Sequence, residues 1–96
     1  MIKNERQLWK KLKDETPEIS WIRIENWALP GTPDLLGYNA NGTFFTVELK
    51  YTKLYSVRLS PHQISFHMKH QKNTFVLVAC SPKLGNFRLY PGSLFF

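Results

Sequence analysis

The stretch from Gly31 to Lys50 reads GTPDLLGYNANGTFFTVELK, and it decides the fold. Two apolar runs flank the polar turn Asn-Ala-Asn-Gly, a pattern that predicts a β-hairpin. Asp34 opens the first strand, and Glu48 and Lys50 close the second. Because the start of one antiparallel strand lies beside the end of the next, and residues two apart share a face, these three side chains should converge. Leu49 should point to the opposite face.

Two carboxylates and an ammonium at the end of a half-buried sheet are costly to desolvate unless something compensates for the burial. A divalent cation held between Asp34 and Glu48 is the obvious compensation. Mg²⁺, with Mn²⁺ as a substitute, suits one or two carboxylates completed by water and phosphate oxygens, and it can ionise a bound water for attack on a phosphodiester. Lys50 would orient that water or neutralise charge that develops on the phosphate.

Pro33-Asp34 followed by Glu48-Leu49-Lys50 resembles the signature of the PD-(D/E)xK nuclease superfamily, a Pro-Asp and a Glu-x-Lys on adjacent strands. The sequence around this motif more specifically resembles the VRR-Nuc type found in phages. It consists of GTPDLL, then VELK and, further downstream, LSPHQ. It is also similar to archaeal Holliday junction resolvases. Because a short bipartite motif recurs by chance, the order of the surrounding helices and strands has to support it.

The resemblance implies a metal-dependent endonuclease that hydrolyses phosphodiester bonds in branched DNA, with Holliday junctions first. Cutting both strands of a junction requires two active sites, so a homodimer is expected. By resemblance, the backbone carbonyl of Leu49 adds a metal ligand. The resemblance also implies that a Glu near the start of the first helix and a Gln at the start of the second reach the site, and Glu5 and Gln63 occupy those places.

Glu5 and Gln63 also have purely structural explanations. Asn4 caps a helix predicted to run from Glu5 to about Glu15, and an acidic residue in a first turn is favoured by the helix dipole. The segment Ser60-Pro61-His62-Gln63 is a capping box that begins a second helix, which accounts for the glutamine without any catalysis. Both explanations stay open for both residues.

The second helix is predicted to run to about Gln71, with Ile64, Met68 and His67 on its inner side. Its three histidines raise the question of zinc. Their spacing does not stack them as ligands on one helix face, so solvated histidines are the favoured interpretation. Phe66 lies off the inner side and suggests a second apolar contact, such as another subunit.

The order of elements predicts an α/β fold. A strand over 20–25 precedes the hairpin, the apolar run Thr74 to Cys80 is typical of a strand buried on both faces, and 87–90 forms a short last strand. With the two helices this gives the order αβββαβ, a restriction-endonuclease-like core in which helices flank a mixed β-sheet. The superfamily that the motif resembles has the same order.

The composition favours a polyanionic partner. The 96 residues are 43% hydrophobic and include 13 Lys and Arg against 7 Asp and Glu, for a net charge of +6. We expect one globular domain over 1–96. Many small basic proteins bind no polyanion, so charge alone decides nothing. Lys53 and Arg58, after the hairpin, are either nucleic-acid contacts or ordinary solvated charges.

Three further features leave alternatives open or bear on location. Trp27 belongs to the core or stacks on an unpaired base. The apolar tail 94–96 closes the core or packs on a partner chain. Cys80 is expected to be a buried thiol, which fits a reducing cytoplasm, and the sequence contains no apolar signal core and no run long enough to span a membrane. The expected location is the cytoplasm, that of the host cell if the chain is phage-encoded.

Two other functions fit the same sequence. A non-catalytic nucleic-acid-binding module would keep the basic surface and would bind equally well in the presence of a chelator. A nuclease that acts on linear ends or nicks would differ only in its substrate.

Overall fold

A computed structural model of the chain describes residues 4–24, 29–53, 56–80 and 87–96. The helices and strands, numbered in chain order, are α1 (Glu5–Glu15), β1 (Ser20–Arg23), β2 (Leu35–Tyr38), β3 (Phe44–Thr52), α2 (Pro61–Lys69), β4 (Thr74–Cys80), β5 (Phe87–Pro91) and a 3₁₀ helix (Gly92–Phe95). This is the predicted αβββαβ order with the expected short strand at the end. Trp27 lies outside the described residues. No helix in the described ranges is both long enough and apolar enough to cross a membrane.

The described strands form one sheet in the order β1-β2-β3-β4-β5. The strands β3 and β4 are parallel, and every other neighbouring pair is antiparallel. The predicted hairpin is present: Tyr38 pairs with Phe44, and the turn is closed by the N–H of Gly42, which donates to the Asn39 carbonyl at 3.0 Å. The connection from β3 to the parallel strand β4 contains α2. The predicted mixed α/β sheet is therefore confirmed.

Apolar side chains pack on both faces of the sheet. The α1 face carries one buried cluster of six residues, namely Leu8, Leu35, Val47, Leu49, Leu77 and Ala79. The other face carries Leu59, Val76 and Val78, and Ile64 of α2 packs against them. Each fully buried aliphatic side chain of this size contributes about 1.5–3 kcal/mol. Because side chains alternate along a strand, Glu48 and Lys50 project away from the Leu49 face, as predicted.

The local sequence explains where α1 begins and ends. The side chain of Asn4 accepts a hydrogen bond from the N–H of Gln7 at 2.9 Å, so it caps the helix as predicted. At the other end, the Thr16 hydroxyl donates to the Leu12 carbonyl at 2.6 Å and accepts from the Trp21 indole at 2.9 Å. The threonine thereby stops the helix and ties its end to β1.

Two predictions about α2 are wrong. The helix ends at Lys69 rather than near Gln71, because the Gln71 side chain and the Thr74 hydroxyl donate to the last free carbonyls and end the helix there. Met68 is 53% exposed, although it was placed on the inner side. His67 is buried in its place, since the backbone of Gly92 packs directly against its imidazole ring.

The apolar tail 94–96 and Cys80 are less buried than a place in the core would require. Of the apolar tail, Phe95 packs against the second cluster, with its ring 6.2 Å from that of Tyr90. Leu94, by contrast, is 66% exposed, and Phe96 is exposed as well. The Cys80 thiol is half-buried rather than buried, because the residue is the last one of β4. The described strand β1 ends at Arg23, before the predicted boundary at residue 25.

Gly31→Ala should destabilise the protein strongly. Gly31 has φ +86°, and a Cβ atom there would overlap the backbone carbonyl of His62 at the start of α2. Gly42 is a matched control, because its φ is +78° but the nearest atom to an added Cβ is the Tyr38 hydroxyl at 3.4 Å. Both alanines carry a left-handed strain of about 1–2 kcal/mol. In urea unfolding, the Gly31 variant should lose at least about 1 kcal/mol more than the Gly42 variant, from the overlap. Equal losses would contradict this close approach.

Candidate active site

The register of β2 against β3 brings Asp34 opposite Glu48. Leu35 pairs with Val47, so the next position along places the two acids side by side on one face. Their side chains share a hydrogen bond. One oxygen of Asp34 also accepts from the N–H of Leu49 at 2.7 Å, which fixes the carboxylate against β3. The two acids therefore meet at the edge of the hairpin, as its sequence predicts.

Glu48 is a buried acid. Only 4% of the residue is exposed, and this burial is the main cause that raises its pKa from 4.5 to about 9. The hydrogen bond that protonated Glu48 donates to Asp34 and the negative charge of Asp34 raise the pKa further, while the ammonium of Lys50 opposes the shift. Burial and the neighbouring Asp34 therefore favour the protonated form of Glu48, which removes the repulsion between the two carboxyl groups.

Lys50 and Glu5 complete the group. Lys50 is half-buried and lies on the same face as Glu48. Glu5 begins α1 at the surface, where partial burial and the charge of Asp34 raise its pKa, while Lys50 lowers it. Each of the three acids is thus within electrostatic reach of the other two, and the ammonium of Lys50 acts on Glu5 and Glu48. The structure brings together Glu5, Asp34, Glu48 and Lys50.

The donor set fits a divalent cation. Burial and the charge of Asp34 raise the pKa of Glu48, so a dication between the two carboxylates would relieve their repulsion, and carboxylate oxygens are the ligands that Mg²⁺ and Mn²⁺ prefer. No three His, Cys, Asp or Glu side chains in the described ranges are arranged to hold an ion by themselves. An ion bound to Asp34 and Glu48 would therefore need oxygens from water, from a substrate or from the backbone.

Gln63 acts as a helix cap in this structure. Its side-chain oxygen accepts from the Ser60 N–H at 2.9 Å, and its own N–H donates to the Ser60 hydroxyl at 3.2 Å. The capping box predicted from the sequence is therefore confirmed. Gly31 packs on the backbone of His62, so the first turn of α2 lies beside the loop that leads to Asp34.

Lys53 and Arg58 are both exposed on the connection that follows β3. No contact among the described residues joins either side chain to the two carboxylates. Their role as nucleic-acid contacts stays a prediction.

The sequence matches no family model and no curated protein. The structure, however, is similar to that of Hjc, a Holliday junction resolvase from the archaeal hyperthermophile Archaeoglobus fulgidus. The two superpose with a TM-score of 0.70 at 18% sequence identity, over 93% of this chain and 78% of that chain. The two chains share one fold. The predicted αβββαβ fold is thereby confirmed, whereas the superfamily and the VRR-Nuc type stay predictions.

The sequence did not predict the position of Arg23, and it left two alternatives for His67. Arg23 pairs with Leu35, the residue after Asp34, and a register argument applied to β1 would have placed it there. His67 was predicted on the inner side of α2 and, alternatively, as a solvated histidine; it is 1% exposed, so the inner position is confirmed. Burial, and to a lesser degree the charge of His70, lowers the pKa of His67, and its Nδ1 has no hydrogen-bond partner in the described part of the chain. No local sequence pattern predicts the environment of the His67 ring, because the residue that packs against it, Gly92, is distant in the sequence.

Proposed function

We propose that this protein is a metal-dependent endonuclease that hydrolyses phosphodiester bonds in branched DNA, with Holliday junctions as its first substrate. The observation that carries the proposal is the buried Glu48 beside Asp34, with Lys50 on the same face. A fold shared with a resolvase and a net charge of +6 support it.

In this proposal Asp34 and Glu48 hold Mg²⁺, or Mn²⁺ in its place, with the Leu49 carbonyl as a further ligand and Glu5 at the edge of the site. When bound, the ion supplies a water of lowered pKa and positive charge for the phosphate oxygens. The hydrogen bond from the Leu49 N–H keeps the Asp34 carboxylate in a fixed orientation.

The remaining residues act on the substrate. Lys50 donates hydrogen bonds to the attacking water or to the phosphate as negative charge develops. Gln63 offers its amide nitrogen, since its oxygen is held by the Ser60 N–H. Lys53 and Arg58 hold phosphates along the strand.

The working form is proposed to be a homodimer, because resolving a junction needs two cuts. The exposed apolar residues Leu94 and Phe96 at the chain end support a partner surface. Sedimentation should give a mass of twice 11.3 kDa. A monomer at concentrations where junctions are cut in both strands would exclude this assembly.

Lys50→Ala tests the proposal against a panel of labelled substrates: duplex, single strand, nicked duplex, flap and four-way junction. The wild type should cut the junction fastest in Mg²⁺ and should cut nothing in EDTA. Loss of the Lys50 ammonium should slow cutting by about 100-fold, as for removal of other groups that stabilise developing charge. Lys72→Ala, which removes an exposed lysine elsewhere, should cut at the wild-type rate.

Each competing function predicts a different result in this panel. Binding without cutting in any metal would identify a non-catalytic module. Faster cutting of nicked or linear DNA than of the junction would identify the other nuclease class. Undiminished cutting by the Lys50 variant would remove the mechanism.

A further inference from the structure

A basic groove lies between α1 and Arg23 of β1. It has a volume of about 550 Å³. Four cations and no acid line it, and the full set of lining residues is Asn4, Arg6, Gln7, Trp9, Lys10, Lys13 and Arg23. We call this surface the α1 groove.

The charges of the α1 groove are mostly not neutralised. Lys10 pairs with Asp14 at 3.2 Å, but both side chains are largely exposed, so the pair is weak. Arg6, Lys13 and Arg23 belong to none of the ion pairs between described residues. An ordinary solvated helix face carries charges of both signs. The groove instead concentrates one sign.

The spacing of these cations fits a polyanion of regular repeat. Arg6, Lys10 and Lys13 are four and three residues apart, so they form one stripe along α1. The stripe rises about 10 Å over seven residues, at roughly 1.5 Å per residue. Four successive phosphates of one DNA strand cover a comparable length, because three steps of about 3.4 Å of axial rise separate the first from the fourth.

Trp9 supplies the floor of the groove. Its ring packs edge-on against Trp21 at 6.0 Å, which holds it in place. The Lys13 ammonium lies over the ring at 5.5 Å from its centre. A rigid aromatic surface beside exposed cations suits a deoxyribose next to its phosphates better than it suits a small, compact anion.

The α1 groove adjoins the candidate active site at two points. Asn4 and Arg6 line the groove on either side of Glu5, the first residue of α1 and a member of the candidate site. On β1, Arg23 precedes Ile24, whose N–H donates to the Asp34 carbonyl at 2.8 Å. A DNA strand bound along the groove would therefore run towards the carboxylates of Asp34 and Glu48.

We propose that the α1 groove binds the sugar-phosphate backbone of a DNA duplex arm next to the phosphate that is cut, through Arg6, Lys13 and Arg23. This inference rests on the proposed function only in that the bound duplex is the nuclease substrate. It assigns a positioning surface, not a catalytic group.

The test is the salt dependence of junction binding in EDTA, where no cutting is expected. The test variant is Lys13→Gln/Arg23→Gln, and the control is Lys72→Gln/Arg88→Gln, which removes the same charge at two exposed positions away from the groove. Each lost phosphate contact lowers the slope of log K against log salt by about 0.9. We expect the groove variant to lose about 1.8 from this slope and at least tenfold in affinity, and the control to keep the wild-type slope.

The outcomes separate this inference from the proposed function. A wild-type slope in the groove variant, with an unchanged melting temperature, would overturn the inference. An equal loss in the control would also overturn it, because only general charge would then matter. If wild-type protein binds with the predicted slope difference yet cuts no DNA in Mg²⁺, the groove assignment stands and the nuclease proposal fails. If the double variant does not fold, the same measurement on Arg23→Gln alone tests the inference. The expected loss of slope is then half as large, about 0.9.

Discussion

Glu48→Gln should lower the rate of junction cutting in Mg²⁺ by more than about 100-fold. The change removes one of the two carboxylates proposed to hold the metal. Loss even of a residue that only supports a metal ligand lowers metal affinity or activity by about 10–100-fold. Glutamine keeps the shape and the hydrogen-bonding capacity of the buried acid, so the fold should survive. Single-turnover cleavage of a labelled four-way junction measures the effect.

Glu18→Gln is the matched control, because it makes the same chemical change at an exposed acid. This control should cut as fast as the wild type. Equal rates for Glu48→Gln and the wild type would show that the buried acid takes no part in catalysis. The enzyme hypothesis would then lose its main support.

The second large effect is on stability against pH in the presence of EDTA. The pKa of Glu48 is raised from 4.5 to about 9 by burial and by Asp34, so the folded protein binds a proton that the unfolded chain releases. This contribution to stability is complete below pH 4.5 and is lost as the pH rises towards 9. The free energy of unfolding should therefore fall between pH 5 and pH 9.

Glu48→Gln isolates this effect, since glutamine cannot ionise. In EDTA at pH 9 the variant should be more stable than the wild type by at least about 1 kcal/mol, or about 4–8 °C in melting temperature for a chain of this size. At pH 5 the two should be alike. Thermal unfolding across this pH range checks the prediction. Parallel curves for the two proteins would contradict the buried proton.

Bound metal should make the wild type more stable than Glu48→Gln, the opposite of the order expected in EDTA at pH 9. Mg²⁺ or Mn²⁺ bound at the carboxylates stabilises only the folded wild type, by about 2.7 kcal/mol when the free ion is at 100 times its Kd. The gain should grow with pH, because the ion has to displace the proton on Glu48. Glu48→Gln should show little of it.

The hairpin and its acids were predictable from sequence because their signals are local. The Asn-Gly turn sets the register of β2 against β3, and the register alone places Asp34 opposite Glu48. Likewise, Asn4 and Ser60 are followed by the helices that they cap, so both helix starts were readable.

The failures concern contacts made by distant parts of the chain. His67 is buried by Gly92, twenty-five positions on, so helical periodicity alone wrongly chose Met68 for the inner side. The α1 groove was not predicted from the sequence for the same reason. Arg23 comes close to the cations of α1 only in the folded chain, where it lines the same groove. Gln63 was readable as a cap, but the sequence does not say what its amide nitrogen contacts.

Binding of Mn²⁺ in the absence of DNA tests the central claim most directly, since it asks whether Asp34 and Glu48 share one ion. Electron paramagnetic resonance of free Mn²⁺ in a titration should show one saturable site per chain. The affinity should fall at least about tenfold in Asp34→Asn and in Glu48→Gln, and should stay unchanged in Glu18→Gln. No saturable binding by the wild type, or the same affinity in Asp34→Asn, would contradict the account.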